Sequence, residues 1–98
     1  MGSLPRDVIQ RVIRRNIASV RRCYEQLLLE RPDAAGRVTV RFVIGNAGAV
    51  QSATVSQSTL GHAETERCVE GAVRRMTFPA PEGGVVTVVY PFVFSPSG

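Results

Sequence analysis

The sequence has few of the residues that catalysis usually needs. It contains one histidine, His62, among 98 residues. It has no glycine-rich loop of the kind that cradles phosphates and no pair of carboxylates spaced for general acid–base chemistry. These absences disfavour an enzyme, and we expect no catalytic residue and no cofactor. Because His62 stands alone just before a predicted helix, we interpret it as a helix cap or surface residue rather than a catalytic base.

Lysine is absent, and all twelve basic residues are arginine. The formal net charge of +4 is compatible with nucleic acid, anionic lipid or acidic proteins, and it selects none of them. No apolar run approaches the roughly 20 residues of a membrane-spanning helix. The longest such run lies near the C-terminus and is interrupted by Pro91. These residues therefore contain no candidate membrane span.

The length suits one small domain, to which we assign residues 1–98. A hydrophobic content of 44% with 20% charged residues is ordinary for a globular fold and argues against disorder. Met1-Gly2-Ser3 resembles an artificial start, so we expect residues 1–4 to be a linker and the domain to come from a longer protein. Residues 95–98 are expected to form a polar tail.

The stretch Arg37–Val55 has the pattern of a β-hairpin. In its first half, apolar residues alternate with mostly polar ones, which is typical of a half-buried strand: Val38, Val40, Phe42 and Ile44. The segment Gly45-Asn-Ala-Gly48 then supplies residues that tolerate positive φ, so the chain can reverse there. A second, weaker strand follows to Val55. An isolated hairpin is marginal in water, so its apolar face needs a cover from the flanking segments.

The chain from Pro5 to about Glu30 has the periodicity of one long amphipathic helix that ends before Pro32. Its apolar residues recur at steps of three and four: Ile9, Val12, Ile13, Ile17, Val20, Tyr24, Leu27 and Leu28. Arginines occupy the opposite face: Arg11, Arg14, Arg15, Arg21 and Arg22. We interpret this face as solvated. The alternative is a binding surface for phosphates or acidic groups, although no aromatic residues interleave with the arginines.

A second helix is predicted from about Ala63 to Met76, with acidic residues in its first turn and arginines in its last, as the helix dipole favours. The strongly β-prone segment Val85–Phe94 follows the connector Thr77–Gly84. Pro91 cannot donate to a β-ladder, so this third strand should be an edge strand. The predicted fold is α+β, with a three-stranded antiparallel sheet in the order 2-1-3 and two helices on one face.

The two cysteines fall one on each predicted helix. Cys23 lies on the buried side of the first helix, and Cys68 borders the buried stripe of the second. Helices that cover the same sheet face could bring them together, so we predict a disulfide, which indicates an oxidising compartment. Two buried free thiols are the alternative. A metal site is not expected, because two cysteines without a neighbouring histidine leave the coordination incomplete.

From Gly36 onward the chain resembles the C-terminal domain of TonB-like energy transducers. The resemblance covers about two thirds of the chain and rests on an ordered set of segments: Gly36–Ile44, the turn Gly45–Gly48, Val50–Ser58, the helix start Gly61-His-Ala-Glu, Arg74-Arg-Met-Thr-Phe-Pro79 and Val85–Phe94. A second set is similar to the TonB-like domain of myxobacterial gliding-motility proteins: Cys23-Tyr24, Cys68, Phe78-Pro-Ala-Pro and Tyr90-Pro-Phe-Val-Phe94.

The resemblance implies a periplasmic protein–protein interaction domain of an inner-membrane protein in an energy-transducing or gliding-motility complex. Its expected partner is an envelope or outer-membrane protein, contacted through an extended peptide that adds to the last strand. The residues expected to bind it are Val85, Val86, Thr87, Val88, Val89 and Tyr90. A homodimer through the same edge is one alternative. A small basic nucleic-acid-binding α/β domain is the other, although we expect no nucleic acid, because the aromatic residues fall on apolar stripes.

Overall fold

A computed structural model of the chain describes residues 2–97. Within them the elements are α1 (Arg6–Arg15), α2 (Ile17–Glu30), β1 (Gly36–Ile44), β2 (Val50–Ser58), α3 (Ala63–Arg74) and β3 (Val86–Phe94). The strands form one antiparallel sheet in the order β2-β1-β3. The predicted α+β class, the antiparallel sheet and its strand order are therefore confirmed. Among these residues, no helix has both the length and the apolar content to cross a membrane.

The first helix was predicted as a single element, but it is divided at Asn16 into α1 and α2. Asn16 has φ −106° and ψ 6°, and its side-chain amide donates to the carbonyl of Val12 across 2.7 Å. An asparagine side chain that bonds to a nearby backbone carbonyl competes with the regular helical pattern, which accounts for the break. Ile17 was expected in the buried stripe, yet it follows the break directly and is 38% exposed.

The core lies between the helices and one face of the sheet. The four alternating apolar residues of β1 have no exposed surface, as their pattern predicted: Val38, Val40, Phe42 and Ile44. Helix residues pack over them with at most 1% exposure: Ile13, Val20, Tyr24, Leu27, Val69 and Val73. Two ring pairs extend this layer. Tyr24 stacks on Phe94 with centroids 4.9 Å apart, and Phe42 stacks on Phe78 at 5.8 Å.

No helix among residues 2–97 packs on the opposite face of the sheet. Side chains of β1 and β3 alternate onto it, and we call the following exposed set the open sheet face: Arg37, Arg41, Thr87, Val89, Pro91 and Val93. The arginines on β1 stand directly opposite valines on β3, with Arg41 facing Val89 and Arg37 facing Val93. Val89 is 59% exposed and Val93 is 75% exposed. The three described strands contain no Asp or Glu, so every formal charge that they place on this face is positive.

A glycine turn positions the hairpin against the connector that follows α3. The amide of Gly45 donates to the carbonyl of Ala49 across 2.7 Å, which closes the turn. Gly48 has φ 95°, and its carbonyl accepts from the amide of Phe78. A Cβ at position 48 would lie 1.9 Å from the Phe78 carbonyl oxygen, so only glycine fits there. This close approach holds Phe78 over the sheet, beside Phe42.

A disulfide between Cys23 and Cys68 joins α2 to α3, with an S–S distance of 2.07 Å and a Cα–Cα distance of 5.6 Å. The structure thus contains the pairing that was predicted from the two helix patterns. The bridge fixes the position of α2 relative to α3, which packs on β2 and β1. It closes a separation of 45 residues, so it constrains nearly half of the chain.

Candidate functional site

The sheet has two edges, and the one formed by β2 is closed by α3. The carboxylate of Glu70 accepts a hydrogen bond from the backbone amide of Val55, with an N–O distance of 2.7 Å. One helical turn further along, the guanidinium of Arg74 donates to the carbonyl of Ala53 at 3.5 Å. The β1–β2 register is also irregular between Thr39 and Val40. Charged side chains and bulges are devices that stop a strand edge from pairing with another chain.

The edge formed by β3 has backbone groups that point away from the sheet. Which residues carry them can be deduced from the alternating direction of the hydrogen bonds along β1. The carbonyl of Arg37 accepts from the amide of Thr59 on the β2 side, and the carbonyl of Thr39 accepts from the Ser56 hydroxyl. Successive residues of a strand turn their backbone groups to opposite sides. The backbone N–H and C=O groups of Val38, Val40 and Phe42 must therefore point toward β3. Their partners there are Phe92, Tyr90 and Val88.

The backbone groups of the intervening β3 residues therefore point away from the sheet. These residues are Thr87, Val89, Pro91 and Val93. Pro91 agrees with this assignment, since it has no N–H and would leave a gap if it faced β1. The carbonyl of Val85, two residues before Thr87, also points outward and accepts from the amide of Gly2 at 2.9 Å. Thr87 and Val89 thus offer consecutive outward N–H and C=O pairs.

The six residues predicted to bind a partner fall into different environments. Val85 precedes β3, is 40% exposed, and has its carbonyl engaged by Gly2. Val86, Val88 and Tyr90 are half-buried on the helix side, whereas Thr87 and Val89 are exposed. The outward backbone groups of this edge are therefore centred on Thr87 and Val89, and Val86, Val88 and Tyr90 shape its helix-facing side.

The helix side of this edge forms a groove that the sequence did not predict. The N-terminal segment and α1 make one wall with Leu4, Arg6, Ile9 and Gln10, and Val86–Pro91 make the other. We call this space, with a volume of about 770 Å³, the β3 groove. Ser3 pairs with Glu82 through both backbone amides, and Gly2 bonds to Val85. Residues 2 and 3, in the stretch assigned to a linker, thereby hold the start of α1 beside β3.

His62, the single histidine, caps α3. Its Nδ1 accepts from the amide of Thr65 at 3.2 Å and lies 2.7 Å from the Thr65 hydroxyl, so the predicted capping role is confirmed. Its Nε2 faces Glu30 at 3.9 Å. Donor atoms of Glu30, His62 and Glu64 lie within 4.8 Å of one another. The cap and the 3.9 Å approach of Nε2 to Glu30 account for this arrangement, and both carboxylates are exposed.

Comparison with known proteins identifies a relative and a protein family. Over 86 residues the chain is 34% identical to the protein named tyrosine-protein kinase MasK of Myxococcus xanthus strain DK1622. The match covers 88% of this chain and 13% of that protein, so the kinase name describes a much larger molecule. No solved structure matched the chain.

The family model described as the Gram-negative bacterial TonB protein C-terminal matches residues 29–96. That range contains the whole sheet, α3 and the end of α2. It confirms the resemblance deduced from the strand and turn segments, and the match to a myxobacterial protein agrees with the second set of similarities. The chain belongs to the TonB C-terminal family.

Proposed function

We propose that this domain is a non-catalytic protein-interaction module of a cell-envelope complex, and that it binds an extended segment of its partner as an added strand along β3. The observation that carries the proposal is the contrast between the two sheet edges. Glu70 and Arg74 occupy backbone groups of β2, whereas Thr87 and Val89 present theirs outward. Main-chain hydrogen bonds at such an edge supply affinity, and pockets for alternate side chains supply selectivity.

The cell envelope is the compartment that fits both the family and the disulfide. Structural disulfides persist in oxidising compartments such as the bacterial periplasm, and Cys23–Cys68 joins the two helices over the core. We assign the domain to the periplasm, as part of a protein anchored in the inner membrane. Its parent would be an energy-transducing or gliding-motility protein, with an envelope or outer-membrane protein as partner.

The side chains argue against a nucleic-acid-binding role. Single strands are held by aromatic rings on which bases stack, beside arginines that contact the phosphates. All six aromatic residues are buried or half-buried on the side of the sheet that the helices cover. The arginines of the open sheet face alternate with valine, threonine and proline instead. A protein partner is the better match for this surface.

The test uses peptides selected by the domain itself. A phage-displayed library of random nine-residue peptides is selected on the immobilised protein, and enriched peptides are synthesised for fluorescence anisotropy. Val89→Pro removes an outward N–H, whereas the control Val89→Thr keeps both the amide and a β-branched side chain. We expect Val89→Pro to weaken binding at least about tenfold, which is 1.4 kcal/mol, and Val89→Thr to leave it within about twofold.

Thr87→Pro is a second variant at an outward-facing position and serves if Val89→Pro fails to fold. Circular dichroism of each variant establishes folding before affinity is measured. Binding that survives proline at both positions would overturn strand addition, as would a library that yields no peptide with a Kd below about 1 mM. Strand addition is supported if proline at these outward-facing positions abolishes binding and if the Thr87 and Val89 amides are protected from hydrogen exchange in the complex.

A further inference from the structure

The β3 groove gives the added strand a second contact besides its backbone. A strand that pairs with Thr87 and Val89 would lie roughly 4.8 Å outside β3, on the side where α1 and the N-terminal segment form the facing wall. Its side chains would alternate between this groove and the open sheet face. The residues that face the incoming groove side chains are Leu4, Arg6, Ile9 and Gln10. Side chains of an added strand on this side would therefore contact these four residues.

On both sides of the proposed added strand, the charged residues that face it are arginines. The first side is the β3 groove. Arg6 is exposed, lines the groove and makes no ion pair with another residue among 2–97. Asp7, its neighbour in sequence, lies 3.8 Å from Arg11 and does not line the groove. Glu82 precedes β3 in the sequence and pairs with Ser3. No described residue that lines the β3 groove carries a carboxylate.

The open sheet face repeats this pattern. Arg41 stands opposite Val89, so an outward-facing side chain on the added strand would continue the row from Arg41 through Val89. Two strand spacings separate β1 from the added strand, roughly 10 Å between backbones, which the combined lengths of an arginine and a glutamate can bridge. Arg37 is the other charge on this face. A carboxylate would thus meet an arginine on either side of the added strand.

The geometry points to an acidic, partly apolar peptide as the occupant: one whose groove-facing side chains place an aliphatic group against Ile9 and a carboxylate at Arg6. The inference rests on the proposed strand addition and adds the side-chain chemistry of the partner. Exposed ion pairs are individually weak, so the contribution of Arg6 is to select and orient a strand that backbone hydrogen bonds already hold. A segment rich in lysine or arginine would be repelled on both sides.

The probes are acetylated nine-residue peptides in which valine and threonine alternate, with one glutamate placed at each position in turn. Peptides with glutamine at the same positions are the uncharged references. We expect glutamate to bind better than glutamine at a groove-facing position, by about fivefold in low salt, and the preference to shrink as salt rises. No difference between glutamate and glutamine at any position would overturn the inference.

Charge reversal on α1 tests whether Arg6 is responsible for the preference for glutamate over glutamine. Arg6→Glu should make the best glutamate peptide bind about tenfold more weakly, and a lysine at the same peptide position should recover most of the loss. Arg14→Glu is the matched control: it makes the same change in net charge on the same helix, and Arg14 does not line the groove. Equal losses in both variants would mean unspecific attraction and would remove Arg6 from the site.

The two proposals fail differently. If Val89→Pro weakens every peptide while glutamate and glutamine peptides bind equally, strand addition stands and the acidic preference is lost. If Arg6→Glu weakens binding but neither Val89→Pro nor Thr87→Pro does, the peptides bind by charge alone, and strand addition is lost. An absence of binding by any peptide at about 1 mM counts against both.

Discussion

The backbone amide of Val55 donates to the carboxylate of Glu70, at an N–O distance of 2.7 Å, so a side chain of α3 occupies a position that a neighbouring strand would otherwise take. Arg74 repeats the contact one turn later, at the carbonyl of Ala53. One residue supplies an acceptor and the other a donor, which matches the alternating groups of a strand edge. The domain therefore has one edge engaged by its own helix and one edge, β3, that faces outward.

Removing the Glu70 contact should open the β2 edge. Glu70→Ala leaves the Val55 amide without its partner, at an expected cost of about 1–3 kcal/mol in the free energy of unfolding. The variant should also associate with itself more strongly, because an unpaired strand edge is a template for pairing. Urea denaturation measures the first effect and sedimentation velocity the second. Glu70→Gln keeps an acceptor oxygen and is the control; an Ala variant as stable and monomeric as the Gln variant would contradict the role of Glu70.

The disulfide should carry a large part of the domain's stability. In the chain-entropy description, a bridge across 45 residues stabilises by about 4 kcal/mol. The Cys23→Ala/Cys68→Ala double variant should lose about that amount in urea denaturation. Alkylation of the unreduced protein from an oxidising compartment, read by intact mass, checks the pairing itself. Two alkylated thiols in that sample would show that the bridge does not form there.

Phe42 should be among the costliest core positions. It has no exposed surface, lies on the central strand β1, and stacks on Phe78. Phe42→Ala should destabilise the domain by about 3–5 kcal/mol. Arg14→Ala, on the exposed face of α1, should change stability by less than about 0.5 kcal/mol. Chemical denaturation of the pair decides this, and a loss below about 1 kcal/mol for Phe42→Ala would be incompatible with a buried ring.

The sequence predicted the sheet well because local pattern and burial agree along β1. The alternation of Val38, Val40, Phe42 and Ile44 indicated a central strand with one buried face, and all four are fully buried. Pro91 indicated the edge because a proline nitrogen cannot donate, whatever surrounds it. The cysteine pairing was expected because Cys23 and Cys68 lie on or beside the apolar stripes of two helices that were predicted to cover the same face. These features depend on residues close in sequence or on a single chemical property.

Other features depend on packing between distant segments. The apolar residues recur at steps of three and four on both sides of Asn16 in the sequence, so the pattern gave no sign of the break. The β3 groove arises because Ser3 pairs with Glu82 and brings α1 beside β3, and no local signal in residues 2–4 predicts that contact. The closure of β2 needs Glu70 and Arg74 to meet backbone groups 15 and 21 residues away. Sequence periodicity marks which side of a helix is polar but not which backbone groups its charges reach.

The outward direction of the Val89 amide can be tested without any partner. Proline at Val89 should be tolerated, because Pro91 already occupies an outward-facing position of the same strand. Proline at Val88 should unfold the domain or destabilise it severely, because the Val88 amide faces β1 opposite Phe42 and its loss breaks the central ladder.

Circular dichroism and urea denaturation compare the two proline variants, and amide hydrogen exchange of the unmodified protein gives an independent readout. Thr87 and Val89 amides should exchange faster than those of Val88 and Tyr90, since only the latter pair are bonded within the sheet. If Val88→Pro were the better tolerated variant, or Val89 the better protected amide, the assignment of the free edge would be reversed. Strand addition at Thr87 and Val89 would then have no backbone groups to use, because those amides would already be bonded to β1.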